Sequence, residues 1–253
     1  TATLDRADGL GRVVRDPSGH VSAVVEESSA DDATLAIAEV NGGMYCFRSS
    51  WLWPSLDALK PGPSGEILLT DLISAAYRQG MVVSSLQAGH PQEVLGVNTR
   101  VQLAQAEAAL RQQILEDWML SGVTIPDPAT AYVDLQARLG QDTLVLPNTH
   151  ITGDSRIGIG CEIGPNTVID DSKIGNGCRV GVSVVRGSTL EDDVEVGPFS
   201  NIRPGTHLDR GVHIGSYAEV KNSRLGRGTR AGHFSYIGDA HVGANVNIGA
   251  GTV

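Results

Sequence analysis

The chain has 253 residues, 41% hydrophobic, 19% charged and 4% aromatic, with a formal net charge of −10. That acidic balance is a poor match for sequence-independent binding to a phosphate backbone, so nucleic acid is excluded as a partner and any anionic substrate must be met by a few local cations. There is no apolar run of about 18 residues and no apolar signal-peptide core at the start, so the expectation is a cytoplasmic protein without a membrane span.

The 31 glycines follow no collagen period and accompany many aliphatic residues, which points to tight turns around a core. Cys46, Cys161 and Cys178 are odd in number and form no CxxC pair. Three reduced core thiols are expected, not a zinc or disulfide framework.

In chain order, residues 12–100 alternate strand and helix signals. "VSAVVE" (21–26), "LAIAEV" (35–40), "MYCF" (44–47) and "MVVSSL" (81–86) predict strands. "GEILLTDLISAAYRQG" (65–80) predicts a helix: Leu69, Leu72, Ile73, Ala76 and Tyr77 recur at spacings of three and four, and Gly80 stands where a helix-ending glycine belongs. This alternation predicts α/β architecture. Residues 99–120 form the clearest helix. Leu103, Ala106, Leu110, Ile114 and Trp118 keep a period near 3.6, and Gly122, Pro126 and Pro128 end it. At about 1.5 Å per residue it is a rod of roughly 33 Å, expected to be an interdomain arm, with an ordinary packing helix as the alternative.

From about residue 151 the period becomes six. Hexads such as "IGIGCE", "IGPNTV", "IGNGCR", "VGPFSN", "IGSYAE" and "IGAGTV" open on an aliphatic residue that glycine often follows. Three such hexads make one triangular coil of a parallel β-helix, with the aliphatics stacked inward and glycine or small polar residues turning the corners.

A scaffold of this kind has no need of cations in the glycine slot, yet Arg203 follows Ile202 and Lys221 follows Val220. Their separation of 18 residues is one full coil, so they should lie one above the other at about the 4.8 Å strand spacing. Stacked cations repel unless an anion sits beside them, and a phosphate-binding pair is the functional reading; two solvated surface cations are the alternative. His233 sits in "AGHFSY" with Tyr236, and Asn247 falls near a corner one coil later. An imidazole titrates near neutral pH and can serve as a general base, although His213 and His241 in the same region show that histidines here need no such role.

The runs "GPFSNIRPGTHL" and "GSYAEVKNSRLGRGTRAGHFSYIGDAHVGANVNIGAGTV" resemble the acetyltransferase domain of the bacterial bifunctional N-acetylglucosamine-1-phosphate uridylyltransferase / glucosamine-1-phosphate N-acetyltransferase family. "GLGRVVR", "VVEE", "EVNGGMYCF", "GEILLTDLI" and "GVNTRVQLAQAE" resemble the later part of its uridylyltransferase domain, and "LSGVTIPDPATAYVD" its entry into the β-helix. The resemblance covers essentially the whole chain.

It implies part of a Rossmann-like nucleotidyltransferase domain over 1–100, a linker helix over 101–121, and an incomplete left-handed parallel β-helix over 122–253. It implies synthesis of UDP-N-acetylglucosamine, for cell-wall and lipopolysaccharide precursors, from glucosamine 1-phosphate, acetyl-CoA and UTP through N-acetylglucosamine 1-phosphate, by a homotrimer. His233 matches the base that takes a proton from the sugar amine. Arg203 and Lys221 match contacts to the sugar phosphate, Tyr236 and Asn247 contacts to the acceptor sugar, and Ala250 a position at the acetyl-CoA site. Gly11, Glu26, Asn41 and Asn98 match positions that hold the uridylyl product, and Asn98 also matches a ligand of Mg2+.

Several departures accompany the resemblance. The family's glycine-rich nucleotide loop, the aspartate that shares the magnesium, and the segment after "NIGAGTV" are not in this sequence, "NGG" replaces "NTG" at 41–43, and the chain does not begin with Met. An internal fragment is expected. Two other functions stay open: a nucleotidyltransferase whose β-helix only oligomerises it, and a β-helix acyltransferase for another nucleotide sugar.

Overall fold

The computed structural model describes every residue except Arg6, Asp8, Pro63 and Ser64, and divides the chain into two units, Thr1–Glu107 and Ala108–Val253. In the first, the hairpin of Arg12–Arg15 and Val21–Val25 turns at Asp16, whose side chain accepts the backbone N–H groups of Ser18 and His20 at 2.8 and 2.9 Å. Glu39–Val40 and Ala2–Thr3 extend the sheet beyond Arg12–Arg15, and every pairing is antiparallel. A small core of Val13, Val21 and Ile73 lies between this hairpin and the helix Asp71–Arg78, with Tyr45 and Phe47 packed against it.

The α/β expectation is met only coarsely here, because the described sheet contains no parallel crossover of the Rossmann kind. The helix expected over 65–80 begins only at Asp71, since Gly65 has φ +84°, outside the helical region. It ends as expected: Gly80 has φ +71°, and Met81 N–H returns to the Ala76 carbonyl at 3.0 Å. "LAIAEV" contributes only Glu39–Val40 to a strand, and "MYCF" and "MVVSSL" join no ladder. Met44, Val82 and Leu86 are strongly exposed. β-propensity counts when a side chain packs on a pleated, half-buried surface, and these side chains have none. Cys46 is likewise exposed, which corrects the expectation of three core thiols; Cys161 and Cys178 are buried.

The helix near the unit boundary runs Arg100–Leu120. In its second half Leu115 is buried, and Ile114, Trp118 and Met119 pack against the core of the second unit. Met119 and Trp118 carbonyls then accept the N–H groups of Gly122 and Val123, and the chain turns into the first coil.

That unit is a parallel β-solenoid of about seven turns. Its inward columns are Val133, Ile151, Ile169, Val185, Ile202, Val220 and Ile237 on one face, Val145, Ile163, Val180, Val196, Ile214, Ala231 and Ile248 on the next, and Leu139, Ile157, Ile174, Leu190, Leu208, Leu225 and Val242 on the third. Buried Ser and Thr hydroxyls satisfy carbonyls near the corners, as Ser188 does for Arg186 and Arg203 at 2.7 and 2.8 Å. Most rungs are only two or three residues long. Two are not: His213–Lys221 and Arg230–Gly238 run unbroken through a corner and join two faces into one sheet.

Two measurements check this packing. Ile169 is fully buried between Ile151 and Val185, so Ile169→Ala should cost about 2–5 kcal/mol, read as a lowered urea midpoint of the solenoid. Under native conditions a thiol reagent should label Cys46 rapidly, and Cys161 and Cys178 only on unfolding, as followed by mass spectrometry.

Candidate functional site

The coil arithmetic for the two cations holds. Asn201 and Ile202 pair in register with Glu219 and Val220, and Arg203 N–H donates to the Val220 carbonyl at 2.8 Å. Arg203 and Lys221 therefore stand on adjacent rungs of one column. Each has an anion of its own. Arg203 Nη1 lies 2.7 Å from Glu219 Oε1, and that hydrogen bond raises the guanidinium pKa further. Lys221 Nζ lies 3.5 Å from Asp239 Oδ2, while Asn222 Nδ2 donates to Asp239 Oδ1 at 2.7 Å.

Lys221 pairs in turn with Gly238, so the third rung of this column has no side chain. The Tyr236 ring fills the space: a Cβ on Gly238 would come within 2.6 Å of the Tyr236 hydroxyl and ring edge. Tyr236 pairs in register with Glu219, the residue that holds Arg203. Arg203, Lys221 and Tyr236 thus form one polar surface, held at its edges by Glu219 and Asp239.

The corner next to it turns at Phe234, a bulky residue with φ +29°, and His233 lies on its other side. His233 is exposed and lines a cleft of about 440 Å³ with His213, Arg230, Asn247 and Ala250, floored by Gly232 and Gly249. His213, Arg230 and Asn247 are successive rungs of one column. Ser216 pairs with His233, and the Gly251 N–H to the Phe234 carbonyl, at 2.7 Å, sets Ala250 on the rung beyond His233. His213 is oriented by Glu195, with Nδ1 3.0 Å from Oε2. The six expected solenoid residues therefore fall into two groups around one corner: Arg203, Lys221 and Tyr236 on one face, His233, Asn247 and Ala250 on the next.

In the first unit, Gly11, Glu26 and Asn41 come together. A Cβ on Gly11 would stand 3.3 Å from Glu26 Oε2, and the Gly11 carbonyl accepts Asn41 N–H at 2.8 Å. The buried guanidinium of Arg12 fixes this bend by donating to the Ala7 carbonyl at 2.8 Å and to that of Leu10. Glu26 Oε1 accepts from the Thr70 hydroxyl at 3.0 Å, and Asn41 Oδ1 from the Tyr45 hydroxyl at 2.8 Å. Asn41 opens onto an apolar cleft of about 490 Å³ lined by Tyr45, Ile73 and Val94. Asn98 stands apart from these three, in a smaller cleft with Gly9, Leu10, Gln102 and Gln105. Magnesium takes hard oxygen ligands and is bound through carboxylates. Among the described residues lining the Asn98 cleft none is a carboxylate, so they do not by themselves make the expected magnesium site.

No family model matches the chain. Curated proteins do. "Bifunctional protein GlmU" of Heliobacterium modesticaldum is 45% identical over 254 residues, covering all of this chain and 56% of that protein. The protein of the same name from Carboxydothermus hydrogenoformans is 44% identical, covering all of this chain and 57% of its own length. Along its whole length the chain is similar to these proteins. It spans about half the length of the curated GlmU relatives it matches. Among solved structures, a UDP-N-acetylglucosamine acyltransferase from Campylobacter jejuni overlays 53% of this chain and 65% of its own at TM-score 0.34 and 15% identity.

Within this chain, sequence reasoning missed Glu219, Asp239, Gly238, His213 and Arg230. The signal was available for some. Glu219 shares the outward parity of Lys221, and Asp239, 18 residues beyond Lys221, falls one residue past its register partner Gly238 because this coil has 17. The Asp239 carboxyl is held below the usual carboxylate range, first by the Asn222 hydrogen bond and then by the Lys221 charge. A depressed folded-state value keeps the Lys221 pair intact at and above the ordinary Asp range and releases it as pH falls through the depressed value. The side-chain 13C titration of Asp239 should therefore have its midpoint below the ordinary value of about 3.9. Asn222→Ala should raise it more than Lys221→Ala does. An ordinary midpoint in the unmodified protein would contradict this.

Proposed function

We propose that this chain is a stretch of an enzyme that makes UDP-N-acetylglucosamine, and that its solenoid carries the acceptor side of an acetyl-transfer site. The observation that carries the reading is the paired placement of Arg203 and Lys221 beside Tyr236, around one corner from the cleft that holds His233. The 45% identity to a protein named as bifunctional supports it.

In this reading glucosamine 1-phosphate lays its phosphate against Arg203 and Lys221, displacing Glu219 and Asp239. Those pairs are exposed, and exposed ion pairs are weak enough to be exchanged for a dianion. Tyr236 and Asn247 orient the sugar. Its amine enters as an ammonium with no lone pair, so a base must take a proton at or before attack, and His233 is that base. The freed amine attacks the thioester carbonyl of acetyl-CoA beside Ala250; the tetrahedral oxyanion then collapses with loss of the CoA thiolate, and no acyl-enzyme forms. Hydrogen-bond donors near the thioester stabilise that oxyanion.

Gly11, Glu26 and Asn41 would hold the sugar nucleotide in the uridylyl half-reaction, within a larger Rossmann-like domain, and Asn98 would add one oxygen to a magnesium site completed by other residues. The solenoid is taken as left-handed, the assembly as a homotrimer and the compartment as the cytoplasm. The domain limits follow the earlier expectation, with 101–121 as linker.

Paired steady-state kinetics of both half-reactions on the full-length protein test this. General-base catalysis contributes about 10²- to 10⁴-fold, so His233→Ala should lower kcat for acetyl transfer by about that factor and leave uridylyl transfer nearly unchanged. Arg203→Ala should mainly raise KM for the sugar phosphate, if the contact is alike in ground and transition states. Near-normal acetylation by His233→Ala would make the histidine scaffold and favour the reading in which the β-helix only oligomerises a nucleotidyltransferase.

A further inference from the structure

The third face of the solenoid carries a side-chain cluster that acetyl transfer leaves unused. Thr189 and Leu190 pair in register with His207 and Leu208. Glu191 therefore stands beside Asp209 on the next coil, and His207 precedes Asp209 by two residues on the same outward side. His207 Nε2 lies 2.9 Å from Glu191 Oε1 and 3.3 Å from Asp209 Oδ1. One ligand atom from each residue falls within 4.8 Å of the other two, and all three side chains are half-buried.

A ring nitrogen carries one proton or one lone pair, never both. It can donate one good hydrogen bond, yet it faces an oxygen from each of two carboxylates. A cation placed among the three atoms would use a lone pair from every one of them. Zinc binds imidazole nitrogen and carboxylate oxygen at about 2.0–2.2 Å, which sets ligand atoms roughly 3.3 Å apart in a tetrahedral shell. The two contacts at 2.9 and 3.3 Å are close to that spacing, and the two carboxylate oxygens lie within 4.8 Å of each other.

The geometry points to a binding site for a zinc-class divalent cation formed by Glu191, His207 and Asp209, with a fourth position open to water. One imidazole with two carboxylates suits zinc better than magnesium or calcium, which prefer all-oxygen shells, or copper(I), which prefers thiolates. Two neighbours shape the site. Arg210 N–H donates to Glu191 Oε2 at 3.0 Å, which fixes that carboxylate and leaves Oε1 for the metal. Arg224 brings Nε and Nη2 to Asp209 Oδ1 at 3.1 and 3.0 Å, so the cation competes with a guanidinium for that oxygen, and Asp209 has a second oxygen to offer. Because Glu191 comes from one coil and His207 and Asp209 from the next, the bound ion would clip the two coils together.

The test is calorimetric titration of the chelator-treated full-length protein with ZnCl2, repeated on His207→Ala and Glu191→Gln. The unmodified protein should bind one more Zn2+ per chain than either variant, and zinc should raise its melting temperature but not theirs. Both side chains lie outside the aliphatic core, so the variants should keep the circular dichroism spectrum of the parent in chelator. A cobalt(II) titration adds a readout that needs no variant: a visible d–d absorption at one equivalent in the unmodified protein. Equal zinc stoichiometry in all three proteins overturns the proposal. So does the absence of a cobalt band from the unmodified protein.

Discussion

Hydrogen bonding between successive coils is the interaction on which the rest of this structure depends. Most rungs have only two residues, so each coil is held by few bonds, and its place is set by which aliphatic side chain stacks on which. Strand side chains alternate between faces, so a slip of one residue would turn an inward column outward and expose a row of isoleucines and valines. The stacked columns through Ile202 and Val220 resist that slip and in doing so place Arg203 beside Lys221. The grouping of these polar side chains is a by-product of register and needs no local motif of its own.

The polar surface that results is balanced. Glu219 neutralises Arg203, and Asp239 with Asn222 holds Lys221, so each of the two stacked cations has a carboxylate beside it. Because both pairs face water, they contribute little to stability and are easily exchanged. A phosphate would meet cations already fixed in position, and its cost of binding would be the release of two weak internal pairs. The glycine at position 238 matters in the same way. It clears the rung above Lys221 so that an aromatic ring can lie there, where any Cβ would collide with Tyr236.

The first unit obeys different rules. Its core is small, and Arg12 spends a buried guanidinium on loop carbonyls to shape the bend at Gly11. Several apolar stretches that read as strands stay unpaired and exposed there. The solenoid repeats one solution coil after coil, whereas this unit has a single layer of short antiparallel strands with the helix Asp71–Arg78 packed on it. A sequence pattern is therefore far more informative in the second unit than in the first.

That difference sets how much was legible beforehand. The six-residue period determined the solenoid, the inward columns and the 18-residue spacing of Arg203 and Lys221, because each hexad repeats the same contact and errors in one are corrected by its neighbours. The capped end of the helix at Gly80 and the helix over Arg100–Leu120 were legible for local reasons, a left-handed glycine and a sustained 3.6 period. The partners of the cations were not, although Asp239 sat at the same spacing, because coil length varies: Glu219 pairs with Tyr236 after 17 residues, while Asn201 pairs with Glu219 after 18. Adding one residue to a coil moves every later side chain around the column, and only three-dimensional pairing shows where each extra residue is absorbed. The same holds for Met44, Val82 and Cys46, whose apolar character suggested burial. Whether a side chain is buried depends on what lies across from it, and that is a property of the tertiary structure that a single strand of sequence does not contain.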